Sequence, residues 1–290
     1  MTLQRKLITL QSPPAQQGFL GTGHTAYPVI QVDFSDSDPF VMLMDDRLDK
    51  KDETAVGGPH PHAGFETVTL ILEGELGDTE HTMRSGDLQM MTAGSGIVHT
   101  ETIDKPMKMR ILQLWLNLPK KDRWTLPRIQ DIKSSHVPSV TQDGITIKVY
   151  SGSLAGTKSP IQNYAPVIIA DIQLKPGATT TQQLPSSYST FLYGIDGSVT
   201  VGEDNTLLKR DQVGWLDRDQ KEQPSELKIA AGPSGGRIIL YSGQPQGDEI
   251  IVHGPFIGDN EDDIRRLYRD FRQGRMGHIN DVPAPQKLVW

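Results

Sequence analysis

Val68-Thr-Leu-Ile-Leu72, Leu88-Gln-Met-Met91 and Arg110-Ile-Leu-Gln-Leu-Trp-Leu116 are apolar runs of strand length. Between them stand Glu73-Gly74, Gly77-Asp78 and Ser85-Gly86-Asp87, where Gly tolerates the left-handed backbone of a tight reversal and Asp bonds its own backbone. Short strands joined by tight turns predict antiparallel hairpins. The region from Val29 to Leu118 therefore reads as an all-β domain.

Downstream, Pro119-Lys-Lys-Asp-Arg123 begins a polar stretch that continues through Ser134-Ser135 to Pro138 without sustained periodicity. This is a connection between domains, with the boundary between residues 120 and 145. A second strand-rich region follows from Ile145 to Ser242, with candidate strands at Val167–Ile172, Ser189–Tyr193 and Arg237–Tyr241. Leu72-Glu-Gly-Glu-Leu76 parallels Ile195-Asp-Gly-Ser-Val199, and Ser85-Gly-Asp-Leu88 parallels Arg210-Asp-Gln-Val213, which suggests an internal duplication. The expected organisation is two antiparallel β-barrels, residues 1–130 and 131–290. Near the end, Asn260 can cap a helix over about 260–273. Its first turn is Glu261-Asp-Asp263, its apolar face is Ile264, Leu267, Tyr268 and Phe271, and Gly274 is its stop. Arg265, Arg266, Arg269 and Arg272 on the other faces read as solvated charge beside that acidic turn.

A chain of 290 residues suits two cores. With 36% hydrophobic and 22% charged residues it has the composition of an ordinary globular protein. Its net charge of -7 argues against direct nucleic-acid binding. The absence of cysteine excludes disulfides, thiolate ligands and thiol nucleophiles, so any metal must be held by nitrogen and oxygen. The N-terminus has no apolar signal region and no run approaches the roughly 18 apolar residues of a membrane span, so no membrane role and a cytoplasmic location are expected.

Pro59-His60-Pro61-His62 puts two imidazoles on one face of an extended segment, because residues i and i+2 of a strand point the same way. His99-Thr100-Glu101 repeats the spacing with a carboxylate in second place. On neighbouring strands, these four side chains would offer three neutral imidazoles and one carboxylate to a divalent transition metal. Around iron(II), two of about six positions would stay open, which distinguishes a reactive ion from a structural one. Glu66 is a competing carboxylate, but Glu101 is preferred. The isolated His24, His81, His136, His253 and His278 read as ordinary solvated or hydrogen-bonded histidines, with His81 the nearest competitor.

His60-Pro-His-Ala-Gly-Phe-Glu-Thr-Val68, Gly86-Asp-Leu-Gln-Met-Met-Thr-Ala-Gly94, Gly96-Ile-Val-His-Thr-Glu101, Leu112-Gln-Leu-Trp-Leu-Asn-Leu-Pro119 and Gly254-Pro-Phe256 together resemble the pirin family of the cupin superfamily over nearly the whole chain. The resemblance implies a bicupin: two jelly-roll-like barrels packed face to face, with metal only in the N-terminal one. That metal, usually iron, would be held at the positions of His60, His62, His99 and Glu101. Nickel, cobalt, copper, manganese or zinc accept the same donors. The second barrel has no His-x-His, and no histidine at all from Ile145 to Ser242. The sequence departs from the family where Ala63 replaces a common Arg, where Met90 replaces a common Trp, and in a short hairpin from Gly77 to Arg84.

Bacterial proteins of this resemblance open flavonols such as quercetin with O2. The first expectation is therefore a monomeric quercetin 2,3-dioxygenase-type enzyme in which Glu101 is also the catalytic base, with Phe65, Met91 or Leu114 as walls of the substrate pocket. The resemblance equally implies a rival: a non-enzymatic, redox-dependent regulator that binds a transcription factor or metabolic enzyme. A third reading is a metal-binding stress protein with incidental quercetinase activity.

Overall fold

The computed structural model describes residues 2–77 and 82–290. The tip of the Gly77 to Arg84 hairpin and His81 lie outside the described residues. The chain forms two compact units that do not follow each other in sequence. One contains the chain up to Pro13, Val29–Pro39 and Val137–Pro245; the other contains Pro14–Pro28, Phe40–His136 and Gln246–Trp290. This corrects the expected division at 130/131 in two ways. The strand Arg128–Ile132 crosses that division and pairs with Leu88–Thr92, so the main break falls after His136. In addition, both chain ends cross over. The strands Leu3–Gln4 and Leu7–Gln11 join the sheet of the later unit, and everything from Gln246 onward joins the earlier one. Short strands do this because an open sheet edge offers unpaired backbone groups to any segment that reaches it.

The unit carrying His60, His62 and His99 is built on an eight-stranded sheet. Phe65–Glu73 lies between Leu88–Thr92 and Met107–Asn117, and Phe40–Lys50 and His24–Pro28 follow on the latter side. The Thr, Val, Leu and Ile content of Phe65–Glu73 suits a pleated surface, and nearly all of it is buried. A separate three-stranded sheet, Pro59–His62, Ile97–Thr100 and Gly277–His278, carries the histidines. The turn between Pro59–His62 and Phe65–Glu73 requires glycine. Gly64 has φ +86, and a Cβ there would collide with the carbonyl oxygen of Ile257.

The C-terminal helix Glu261–Arg272 starts as expected, with Asn260 Oδ1 accepting from the Asp263 N–H at 3.0 Å. Ile264 and Leu267 pack against Ala63 and Phe256, next to the His62 strand, whereas Phe271 is exposed. Arg265 pairs with Glu261 and Asp262, and Arg266 lies over the Trp124 ring, 4.4 Å from its centroid.

The other unit has a ten-stranded sheet in which Pro224–Gly243 runs between Val167–Leu174 and Ser189–Val201. Its core includes Val149, Ile172, Val199, Leu227, Ile229 and Leu240. These strands contain the expected segments and extend well beyond them. Among the described residues, no helix is long and apolar enough to cross a membrane.

Candidate metal centre

Pro59–His62 and Ile97–Thr100 pair antiparallel, with His99 opposite His60 and Ile97 opposite His62. This register sets the three imidazoles on one face. His99 Nε2 lies 2.7 Å from His60 Nε2 and 3.1 Å from His62 Nε2. Adjacent ligands bonded at 2.0–2.1 Å around an octahedral ion would be about 2.9 Å apart, so the three lone pairs fit one cation. Gly58 fixes the donor form of His60: its carbonyl accepts from Nδ1 at 2.9 Å, which leaves Nε2 free of a proton. Burial pushes the His62 imidazole down to about 3, and the neighbouring His60 adds to this against a small opposing effect of the Pro255 backbone. Burial pushes His99 down to about 2, helped by His62, His60 and His278. Both rings are therefore neutral at physiological pH, the state in which imidazole binds metal.

Glu101 stands at the edge of this cluster. Its carboxylate oxygens are 3.9 Å from His60 Nε2 and 3.9 Å from His99 Nδ1. Partial burial raises its pKa, His60 opposes the shift and Asp46 adds to it. Among the described residues the close cluster of candidate ligands is His60, His62 and His99. Glu66 points elsewhere: fully buried, it accepts from Thr92 Oγ1 at 2.6 Å and faces Arg128 at 4.0 Å. Its desolvated carboxyl is pushed up to about 7.

The remaining described histidines with side-chain partners have their own hydrogen bonds. His24 pairs with Asp46, His253 with Tyr268 at 3.0 Å, and His278 with Thr100 at 3.1 Å.

A cavity of about 930 Å³ opens onto His60, His62 and Glu101. Its sheet wall carries Met42, Met44, Ile111 and Trp115, not the expected Phe65, Met91 or Leu114. Leu114 is buried on the opposite face of its strand, one residue out of phase with Trp115, and Met91 belongs to a core with Ile97 and Ile129. Phe65 contributes from behind, its ring 4.2 Å from that of Trp115 and 5.2 Å from that of His62. Sequence reading also missed Arg123. Its buried guanidinium donates to the Gly64 carbonyl at 3.1 Å, to Asn117 at 2.8 Å and to Asp259 at 2.7 Å, tying the turn after His62 to the C-terminal segment.

Residues 23–116 match the family described as Pirin, and residues 169–277 match the Pirin C-terminal cupin domain. Pirin of Homo sapiens is 34% identical over 256 residues, which cover 83% of this chain and 83% of that protein. The chain belongs to the pirin family. Among solved structures, quercetin 2,3-dioxygenase from Acinetobacter baumannii is similar with a TM-score of 0.82, at 26% identity, covering 94% of this chain and 98% of that one. The bacterial pirin YhhW from Escherichia coli, solved in complex with nickel(II), shares the fold at a TM-score of 0.59. It is 15% identical and covers 82% of this chain and 99% of that one.

Proposed function

We propose that this pirin is a metal-dependent dioxygenase that opens the heterocyclic ring of flavonols with O2, its metal held by His60, His62, His99 and Glu101. The observation that carries the reading is the convergence of the His60, His62 and His99 Nε2 atoms beside a cavity that His60 and His62 line and that is walled by Met42, Met44 and Trp115. A largely buried cluster of imidazole nitrogens facing one another is poorly satisfied by itself and well satisfied by a cation. The likeness to the Acinetobacter baumannii enzyme supports the same reaction class. Iron(II) is the ion chosen on family resemblance, and nickel, cobalt, copper, manganese and zinc suit the same donors.

When bound, the ion supplies Lewis acidity toward the substrate oxygens and access to O2 chemistry. The chain supplies the rest. Glu101 takes the proton of the flavonol hydroxyl on a carboxylate oxygen, and burial makes that oxygen more basic than an ordinary carboxylate. Deprotonation raises the electron density of the ring. Trp115 and the two methionines exclude water and present flat, polarisable surface to a planar ligand. The expected products are carbon monoxide and a depside.

The test is to purify the protein without added metal, quantify bound metals by mass spectrometry and follow O2-dependent quercetin loss with iron(II), using His62→Ala as control. About one metal per chain and repeated turnover, both lost in the variant, are expected. Metal without turnover would overturn the enzyme reading in favour of a regulator that binds a protein partner.

A further inference from the structure

The sheet wall of the 930 Å³ cavity has an apolar patch of Ala26, Met42, Met44, Met109, Ile111 and Trp115, with polar residues at Gln16, Gln17, His24, Asp46 and Gln113. Asp46 lies across from Ile111 on one neighbouring strand and Ala26 on the other, and is 8% exposed. A carboxylate in such surroundings is costly unless its oxygens are bonded. His24 bonds one of them. The Leu20 N–H donates to His24 Nδ1 at 3.1 Å, which puts the ring proton on Nε2, and Nε2 donates to Asp46 Oδ1 at 2.8 Å. The His24 side chain is 1% exposed and is gripped by its own turn. Its backbone N–H donates to the Gly21 carbonyl at 3.1 Å, and Gly18 lies so close to the ring that it has no room for a Cβ. The pair is thus set by the protein before any ligand arrives, and Asp46 Oδ2 keeps no protein partner among the described residues. Gln113 is its diagonal neighbour on the same wall, about 7–8 Å away along the sheet. Thr69 Oγ1 donates to Gln113 Oε1 at 2.6 Å, leaving the amide N–H group for the cavity.

We propose that Asp46, positioned by His24, is the acceptor that selects polyhydroxylated aromatic ligands, with the Gln113 amide as the adjoining donor. The proposal deepens the dioxygenase reading, since it takes this cavity as the substrate site. A fixed acceptor beside apolar wall rejects a ligand that lacks the matching hydroxyl, because the carboxylate oxygen is then desolvated without a partner. With Glu101 lining the same cavity, ligands that carry carboxylate or phosphate groups are disfavoured as well.

The experiment uses full-length, iron(II)-loaded protein with O2 excluded, and titrates quercetin and 3-hydroxyflavone into wild type, Asp46→Asn and Asp46→Leu. 3-Hydroxyflavone keeps the 3-hydroxyl and 4-carbonyl but lacks the peripheral hydroxyls. Asp46→Leu should weaken quercetin by about 10- to 100-fold and 3-hydroxyflavone by less than about 3-fold. Asp46→Asn, nearly isosteric and able to keep the His24 contact, should show the same selectivity with a smaller loss. Metal content should be unchanged in both. Equal losses for the two ligands, or no loss for either, would show that the His24 pair only staples its turn to the sheet and would overturn the proposal. Admitting O2 afterwards separates the two readings. Selective binding without turnover removes the dioxygenase and leaves the Asp46 anchor, whereas turnover without the quercetin-specific loss does the reverse.

Discussion

His62 and Glu66 are neighbours along one strand-turn-strand segment, and burial disfavours charge on both, pushing the imidazole down to about 3 and the carboxyl up to about 7. For Glu66 this has a stability consequence of definite sign. Between about pH 4.5 and 7 the folded protein keeps a proton that the unfolded chain has lost, so the folded state binds more protons and stability falls as pH rises. The full effect is about 3 kcal/mol. Denaturant unfolding of wild type and Glu66→Gln across pH 4 to 8 should show wild type losing that amount relative to the variant; parallel profiles would sink the idea. Glu101→Gln tests the other carboxylate. It should lower turnover by about 10²- to 10⁴-fold while metal content by mass spectrometry falls far less, and a proportionate loss of both would make Glu101 a ligand only. The i, i+2 spacing of His60 and His62 and of His99 and Glu101 made the cluster legible in the sequence. The stand-off of Glu101 was not, because the strand ends at Thr100 and the i, i+2 rule no longer fixes a side chain one residue beyond it.

Strands and helix differ in how well their faces could be read. Met107–Asn117 is buried on both sides, so its apolar residues do not alternate, and nothing in Leu112-Gln-Leu-Trp-Leu116 tells which phase meets the cavity. That is why Leu114 was expected where Trp115 stands. In Glu261–Arg272 the 3.6-residue repeat has one packed stripe, and its cap and buried positions were legible except at the last turn, where Phe271 is 37% exposed. The contrast can be measured. Leu267→Ala, which empties a site among Ala63, Phe256 and Ile264, should cost about 2–5 kcal/mol in denaturant unfolding. Phe271→Ala should cost under about 1 kcal/mol. Comparable losses would mean that the helix is held by propensity and not by its contact with the segment that follows His62.

At the scale of the molecule, both termini add to units formed mainly by other parts of the chain, and this was hidden from sequence reading. Leu3–Gln4, Gly277–His278 and Lys287–Val289 are two or three residues long, too short for any periodicity, and only an open sheet edge elsewhere in the chain gives them a place. The crossing predicts opposite effects of trimming the two ends. Removing 246–290 takes away Phe256, the helix and the strand paired with Ile97 and Val98, all in the histidine-bearing unit. Removing the residues up to Pro13 takes away Leu7–Gln11 and its pairing with Val213–Leu216, in the unit without the histidine cluster. Calorimetry with metal analysis on the two trimmed proteins should therefore separate them. The first should lose most of its bound metal along with several kcal/mol of stability, because the His62 turn loses the carbonyl, side-chain and strand contacts that hold it. The second should be destabilised while keeping a metal content near that of the whole protein. Metal lost equally from both would show that the two units fold as one cooperative body, and that the histidine cluster depends on strands with which it shares no sheet.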